Sequence, residues 1–426
     1  MKIVLQFLSS ILLFAYSLSA DDKPNIVLIM ADDIGYECFS SYGSKDYNTV
    51  NLDQLAANGM RFKHCNSQPL CTPSRVQILT GRYNNRNYRG FGWLDPKEIT
   101  FANVLKDAGY ETCIAGKWQL GGNAETIKKF GFDSFCLWNM HKYTKQDEDG
   151  MKDTSGWLQR FDNPTLFKDG EWYKPGKKAY GPQECTDFIC DFIGKNKAKP
   201  FLVYYPMILT HDPFVPTPDS ASRKQSKKQN FVDMTHYMDK LIGQIVKKLE
   251  QEGLREKTII LFTGDNGTHS LIESETKQGK IRGGKSKMTD AGTRVPLIIN
   301  WPGTIQNKVS DELIDFSDVL PTLAEIAGAK TPKDRKIDGF SFLPVLKGQV
   351  SSRRDSIFCY YWGRGRDAKK TSSFVRNQNY KLYNDGRFYK IDSDVLEESP
   401  LQDLNKEELS IKEKLEKALA NYLKAE

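Results

Sequence analysis

The chain has 426 residues, 39% hydrophobic, 12% aromatic and 27% charged, which excludes a disulfide miniprotein and wholesale disorder and leaves ample apolar mass for a core. Lysine and arginine exceed aspartate and glutamate by 61 − 54 = 7, an excess too thinly spread to indicate a nucleic-acid partner. The length allows two or three domains of roughly 100–200 residues, or one large α/β unit with an appendage.

Residues 1–20 carry Lys2, an apolar stretch from Ile3 to Tyr16, and then Ser17, Leu18, Ser19 and Ala20. This is the pattern of a secretory signal peptide removed on export. The stretch is short of the roughly 20 residues that span a bilayer, and no later stretch is apolar enough, so stable membrane insertion is not expected. The expected location is exported: periplasmic or extracellular, or lysosomal in a eukaryote. Export permits disulfides among the eight cysteines, Cys38, Cys65, Cys71, Cys113, Cys136, Cys185, Cys190 and Cys359, with connectivity left open. Cys185 and Cys190 sit five apart on an expected helix, on different faces, which argues against a bridge between them.

Asn25–Ala31 is a continuous apolar run that stops at Asp32 and Asp33, as suits a strand buried on both faces. Similar runs recur at Phe201–Tyr205, Thr258–Thr263 and Pro296–Asn300, separated by amphipathic stretches including Phe101–Ala108, Cys185–Ile193 and Phe231–Gln251. The alternation predicts an α/β fold with a large mixed, mainly parallel sheet sandwiched by helices. Asp32, Asp33, His211, Asp265 and Asn266 all follow strands, and open α/β sheets gather ligands outside the carboxyl ends of their strands. The basic run from Arg223 to Lys228 reads as a solvated loop. Past Gly339, Tyr380–Tyr383, the turn Asn384-Asp385-Gly386 and Arg387–Ile391 predict a hairpin, and Lys406–Lys424 a closing helix. The expected domains are therefore residues 21–340, a large catalytic α/β unit, and 341–426, a small antiparallel sheet with a terminal helix.

Pro69-Leu70-Cys71-Thr72-Pro73-Ser74-Arg75 puts a cysteine in the first turn of a helix with an arginine one turn along. Helix amides and a cation there suit anion chemistry, although a buried structural cysteine has the same local features. The segment Cys71-Thr72-Pro73-Ser74-Arg75, with the trailing Leu79-Thr80-Gly81, resembles the Cys-x-Pro-Ser-Arg signature of the formylglycine-dependent sulfatases of the alkaline-phosphatase-like superfamily. Asp32-Asp33, Gly116-Lys117-Trp118, His211, Gly264-Asp265-Asn266-Gly267, and Lys285 followed by Gly292-Thr293-Arg294 continue the resemblance in order, across most of the chain.

The resemblance implies that a separate maturation enzyme oxidises Cys71 to formylglycine. One hydroxyl of its hydrated diol attacks sulfur and expels the alcohol, and loss of the second proton ejects sulfate. It implies a metal set of Asp32, Asp33, Asp265 and Asn266, joined by the modified Cys71. Oxygen donors of this kind suit a hard divalent cation, calcium first and magnesium second. Read alone, Asp32-Asp33 is also a strand-end turn pair, and Asp265-Asn266-Gly267 a turn or, with Thr268, a glycosylation sequon. By the same resemblance Arg75 holds the formylglycine and the ligand carboxylates, Lys117 and Lys285 bind sulfate, and His211 contacts the ester oxygen and protonates the leaving alcohol. One position departs: the family pattern is Lys-Trp-His, and this chain has Lys117-Trp118-Gln119. Gln119 donates and accepts hydrogen bonds but takes no proton at neutral pH, so Asp32, Asp33 or water would assist diol collapse.

The function expected is an exported sulfatase acting on a sulfated carbohydrate or an aryl sulfate, the carbohydrate preferred. A phosphonate or phosphodiester hydrolase of the same superfamily and a noncatalytic glycan-binding relative are the alternatives. Arg86, Arg89, His141, Arg282, Trp362 and Arg364 are candidate rim residues, and His64, His141, His236 and His269 are structural by default.

Overall fold

In the computed structural model, which describes residues 23–138, 160–349, 354–362 and 371–424, the apolar runs become strands in the order the alternation predicts. The expected signal peptide, His141 and Arg364 lie outside the described residues. Sixteen strands are present among them: β1 (Asn25–Ala31), β2 (Met60–Asn66), β3 (Glu111–Lys117), β4 (Ser134–Trp138), β5 (Leu166–Lys168), β6 (Glu171–Tyr173), β7 (Phe201–Pro206), β8 (Thr258–Gly264), β9 (Glu273–Thr276), β10 (Gly279–Arg282), β11 (Arg294–Asn300), β12 (Lys308–Asp315), β13 (Ile357–Tyr361), β14 (Ser372–Arg376), β15 (Tyr380–Tyr383) and β16 (Phe388–Lys390).

The large sheet has ten strands in the order β12-β2-β11-β8-β1-β7-β3-β4-β5-β6. Its centre, β8-β1-β7-β3-β4, is parallel throughout. Successive residues of β1 point to opposite faces. Ile26, Leu28 and Met30 enter the core beneath the Cys71–Thr80, Phe101–Asp107 and Val319–Ile326 helices. Val27, Ile29 and Ala31 enter the core beneath Val50–Ala57, Gly181–Lys195 and Lys227–Gln251. This two-faced burial is why the strand reads as an unbroken apolar run.

Two local differences from the sequence reading have physical causes. β11, which contains Pro296–Asn300, runs antiparallel to both β8 and β2, because no crossover helix separates β8 from β11 and only the β9–β10 hairpin and a four-residue helix, Asp290–Thr293, intervene. Within the basic run, Lys227 and Lys228 open the Lys227–Gln251 helix, since the Ser226 hydroxyl accepts from Gln229 N at 3.1 Å and caps it.

The second sheet, β13-β14-β15-β16, is antiparallel, and β15–β16 is the expected hairpin. The Lys406–Leu423 helix covers one face, with Leu415 and Leu419 against Phe358, Val375, Leu382 and Phe388. The other face packs Cys359, Phe374, Tyr383 and Tyr389 around Met288, which lies just before β11. The short Leu343–Leu346 helix belongs to the core of the large sheet. All eight cysteines are free thiols. Among the described residues no helix is long and apolar enough to cross a membrane.

His64 on β2 shows the cost of joining the two sheets. Burial pushes its imidazole down to about 4, and Arg376 and Arg294 push the same way. The unfolded chain binds this proton near pH 6.5 and the folded chain does not. Stability should therefore fall as pH drops from 6.5 towards 4, by about 3 kcal/mol in total. Urea unfolding of His64→Gln should show a flatter pH dependence over that window, and an unchanged slope would refute the assignment.

Candidate active site

The carboxyl ends of four adjacent parallel strands deliver most of the polar residues singled out from sequence. β8 ends in Asp265 and Asn266, β1 in Asp32 and Asp33, and β3 in Lys117 and, two residues on, Gln119; His211 follows β7 by five residues. The reversed direction of β11 brings the segment before it, with Lys285, to the same edge. β2 leaves that edge into the Cys71–Thr80 helix, so Cys71 and Arg75 arrive there as well.

These groups form one connected cluster. Arg75 Nη2 is 2.9 Å from Asp265 Oδ2 and 3.9 Å from Asp32 Oδ1, and Nη1 donates to Lys117 O at 3.0 Å. Lys117 Nζ contacts both Asp32 oxygens, at 3.0 and 2.7 Å. Lys285 Nζ pairs with Asp33 Oδ2 and lies 3.1 Å from His211 Nε2. Asp33 N donates to Asp265 Oδ1 at 3.0 Å. Cys71, Arg75, Lys117, His211, Asp32, Asp33, Asp265 and Asn266 are all buried, and Lys285 is partly so.

Burial pulls each carboxylate upward and the cations pull it down. For Asp32, burial is outweighed by Lys117, His211 and Arg75, which hold it well below the usual range. Asp33 is likewise lowered against its burial, by His211 and Lys285. At Asp265, burial and the Asp32 charge prevail over Arg75 and push the carboxyl up to about 7. The cluster thus sets three carboxylates against Arg75, Lys117 and Lys285, and Asp265, buried beside two other aspartates, is the one pushed towards its neutral form. The Asn266 amide donates from Nδ2 to Asp33 Oδ1 at 2.9 Å and to Gly267 O at 3.0 Å, which leaves Oδ1 buried with no hydrogen-bond partner. Asp32, Asp33 and His211 offer ligand atoms within 4.8 Å of one another. Crowded carboxylates and an orphaned amide oxygen fit a hard divalent cation held by Asp32, Asp33, Asp265 and Asn266.

His211 Nδ1 lies 2.6 Å from Asp212 O. Arg160 Nη2 also lies 3.2 Å from Nδ1, but the nearer carbonyl only accepts and the Lys285 ammonium on Nε2 only donates, which favours the proton on Nδ1 and the lone pair on Nε2. Burial is the largest influence on this imidazole and, despite Asp33 and Asp32, brings it to about 4, so His211 is neutral at pH 7. Arg160, which the sequence reading passed over, stacks 4.7 Å over the Trp138 ring and donates from Nη2 to the carbonyls of His211 and Asp212. No motif surrounds it, so only the structure finds it.

A cavity of about 440 Å³ opens onto Cys71, Gln119, His211 and Lys285. Its remaining wall is Leu70, Phe91, Asp212, His269, Ser270 and Ser286. His269, taken as structural by default, therefore faces the cavity; it follows Asn266 by only three residues, and that proximity was a usable signal. Gln119 is 2% exposed, holds φ at 58°, and has no hydrogen-bond partner for Oε1. Of the described rim candidates, none lines this cavity. Arg86 is buried on Asp338 at 2.7 Å, Arg89 donates to Arg86 O at 2.9 Å, Trp362 packs against Tyr88, and Arg282 is exposed beside Glu273. Their long or aromatic side chains satisfy neighbours in the fold.

Residues 24–329 match the Sulfatase family model, and residues 284–425 match the model described as N-sulphoglucosamine sulphohydrolase, C-terminal. Human arylsulfatase A is 34% identical over 83% of this chain and 73% of its own length. Human steryl-sulfatase is 30% identical over 85% and 76%. The solved structure of Ps i-CgsB in complex with k-i-k-neocarrahexaose superposes with a TM-score of 0.78 at 23% identity, covering 94% of this chain and 93% of that one. Sequence motifs, sheet topology and these matches agree, and the chain belongs to the sulfatase family, a family of sulfuric ester hydrolases.

Proposed function

We propose that the protein is an exported sulfatase that hydrolyses a sulfate ester of a carbohydrate, with Cys71 matured to formylglycine as the nucleophile and calcium as the cation. The observation that carries this reading is the convergence of Cys71, Arg75, Lys117, Lys285 and the Asp32, Asp33, Asp265, Asn266 set at one edge of the sheet, beside one cavity.

A thiol at position 71 is a poor candidate for the reaction in its own right. Burial raises it, and the opposing influence of Lys117 and Lys285 is shared with Asp265 and Asp32, so it is not a thiolate at neutral pH. Matured to formylglycine, residue 71 would supply a hydroxyl nucleophile and a second hydroxyl for release of sulfate, and a cation held by Asp32, Asp33, Asp265 and Asn266 would lower the pKa of that diol and offset oxyanion charge. The other steps belong to the chain itself. Lys117, buried, and Lys285, partly buried, provide two ammonium groups that bind the sulfate oxygens and stabilise charge developing on them. Arg75 holds Asp265, and through Lys117 O it also fixes the end of β3. His211 Nε2 accepts from Lys285 Nζ at 3.1 Å, and a proton passed across this contact to Nε2 would be the source for the departing alkoxide. Gln119 binds by hydrogen bonding only, which leaves proton removal to Asp32, Asp33 or water.

The preference for a sugar rests on the cavity wall, where, among the described residues, Asp212, His269, Ser270 and Ser286 supply hydrogen-bonding groups beside the apolar Phe91 and Leu70. The test is a panel of monosulfated neutral sugars, an aryl sulfate and a phosphonate monoester, given to protein matured in a competent host. A sugar sulfate should exceed the aryl sulfate in kcat/KM by at least about tenfold, a difference of about 1.4 kcal/mol in transition-state binding. Best turnover of the aryl sulfate would refute the substrate class, and best turnover of the phosphonate would refute the sulfatase activity.

A further inference from the structure

The C-terminal unit places four polar side chains, none of which lines the cavity, on the Met288–Asp290 segment that follows Lys285. Lys381 on β15 is fully buried; its Nζ donates to Met288 O and pairs with Glu397 Oε1 at 2.8 Å. Tyr383 OH donates to Glu397 Oε2 and lies 3.1 Å from the same Met288 carbonyl. Glu397 Oε1 accepts from Asp290 N at 2.6 Å, and Arg376 Nη1 donates to Asp290 Oδ1 at 2.6 Å. A buried ion pair contributes little net stability compared with an apolar pair of equal volume, because desolvation offsets the attraction. What this pair does, which apolar side chains would not, is fix one carbonyl and one amide of the Met288–Asp290 segment.

The restraint reaches Lys285 through a loop folded tightly on itself. Lys287 N donates to Gly284 O at 2.8 Å, and Gly284 N donates to Ala291 O at 3.2 Å. A Cβ added at Gly292 would lie 2.0 Å from Lys287 O and 2.4 Å from Gly284 O, so the two arms of the loop touch backbone to backbone. On its far side, Lys285 N donates to Thr268 O at 3.0 Å and Ser286 N to Pro69 O at 2.7 Å, the latter two residues before Cys71. These contacts give a displacement at Met288 a direct backbone route to residues 284–287.

We propose that the buried Lys381–Glu397 pair, with Tyr383 and Arg376, is a positioning device that sets Lys285 Nζ for sulfate, so that the C-terminal sheet tunes anion affinity without touching the anion. The inference rests on the reading of Lys285 as a sulfate-binding residue. Its test is a double-mutant cycle of Lys381→Met and Lys285→Ala, reading KM for the sulfate ester, Ki for inorganic sulfate, and Tm. Lys381→Met should raise Ki for sulfate about tenfold and KM with it, Lys381→Arg should recover most of the loss, and in the Lys285→Ala background Lys381→Met should leave Ki unaltered. A lowered Tm with sulfate Ki unchanged would overturn the proposal, as would an equal rise in Ki in both backgrounds. Should Lys381→Met not fold, Glu397→Gln, which keeps the ammonium on Met288 O, carries the same readouts. A wild-type protein indifferent to sulfate would overturn the reading of the site itself and the proposal with it, whereas sulfate held equally by wild type and Lys381→Met would overturn the proposal alone.

Discussion

Cys71→Ala should lower kcat on any sulfate ester by at least ~10⁴-fold, the scale seen when a catalytic nucleophile is deleted, while Tm moves little. The side chain sits at the first position of the Cys71–Thr80 helix, buried but against the cavity, so alanine removes one atom facing the open space and little packing. Cys71→Ser is the more discriminating variant. A lone hydroxyl beside Lys117 and Lys285 can take a sulfo group from the ester and release the alcohol, but no second hydroxyl remains to expel sulfate. Serine should therefore give one equivalent of alcohol per chain and stop, with the sulfo group found on the residue-71 peptide by mass spectrometry. Continued turnover by Cys71→Ser, or Cys71→Ala retaining activity within tenfold of wild type, would refute the diol mechanism.

The parts of this arrangement that could be read from the chain alone are those encoded locally. A strand buried on both faces has to be apolar throughout, so β1, β7 and β8 announce themselves, and Asp32 and Asp265 mark the ends of β1 and β8 as plainly as a turn would. The Asp-Gly turn between Tyr383 and Phe388 and the capped helix from Lys406 are local in the same sense. Strand direction is not local: β11 has the same apolar texture as β8, yet it runs the opposite way, and that reversal is what carries Lys285 to the site. β2 escaped notice because Arg61 and Lys63 interrupt it at the sheet margin, where one neighbour is β12. The roles of Arg160 and Lys381 were illegible for a stronger reason. Each acts on backbone 51 to 93 residues away, and nothing in the flanking residues of a buried cation names its distant acceptor.

Calcium, added to chelator-treated protein, should raise Tm by several degrees, because a ligand at 100 times its Kd adds about 2.7 kcal/mol to the folded state. Magnesium should raise it less: a site of side-chain carboxylates and one amide asks the ion to shed water, which magnesium does reluctantly. Asp265→Asn separates this effect from general stabilisation. The amide oxygen still accepts from Arg75 Nη2, and the carboxyl it replaces is pushed up to about 7 by burial and by Asp32, so the chelator-treated variant should melt close to chelator-treated wild type. With one carboxylate fewer, however, the calcium-dependent rise should shrink or vanish. Identical melting curves of wild type in chelator, calcium and magnesium would refute the cation site, and an undiminished calcium rise in Asp265→Asn would remove Asp265 from it. Either result would also change what the three buried carboxylates are for, since without a cation their mutual repulsion is left to Arg75, Lys117, Lys285 and Arg160 among the described residues.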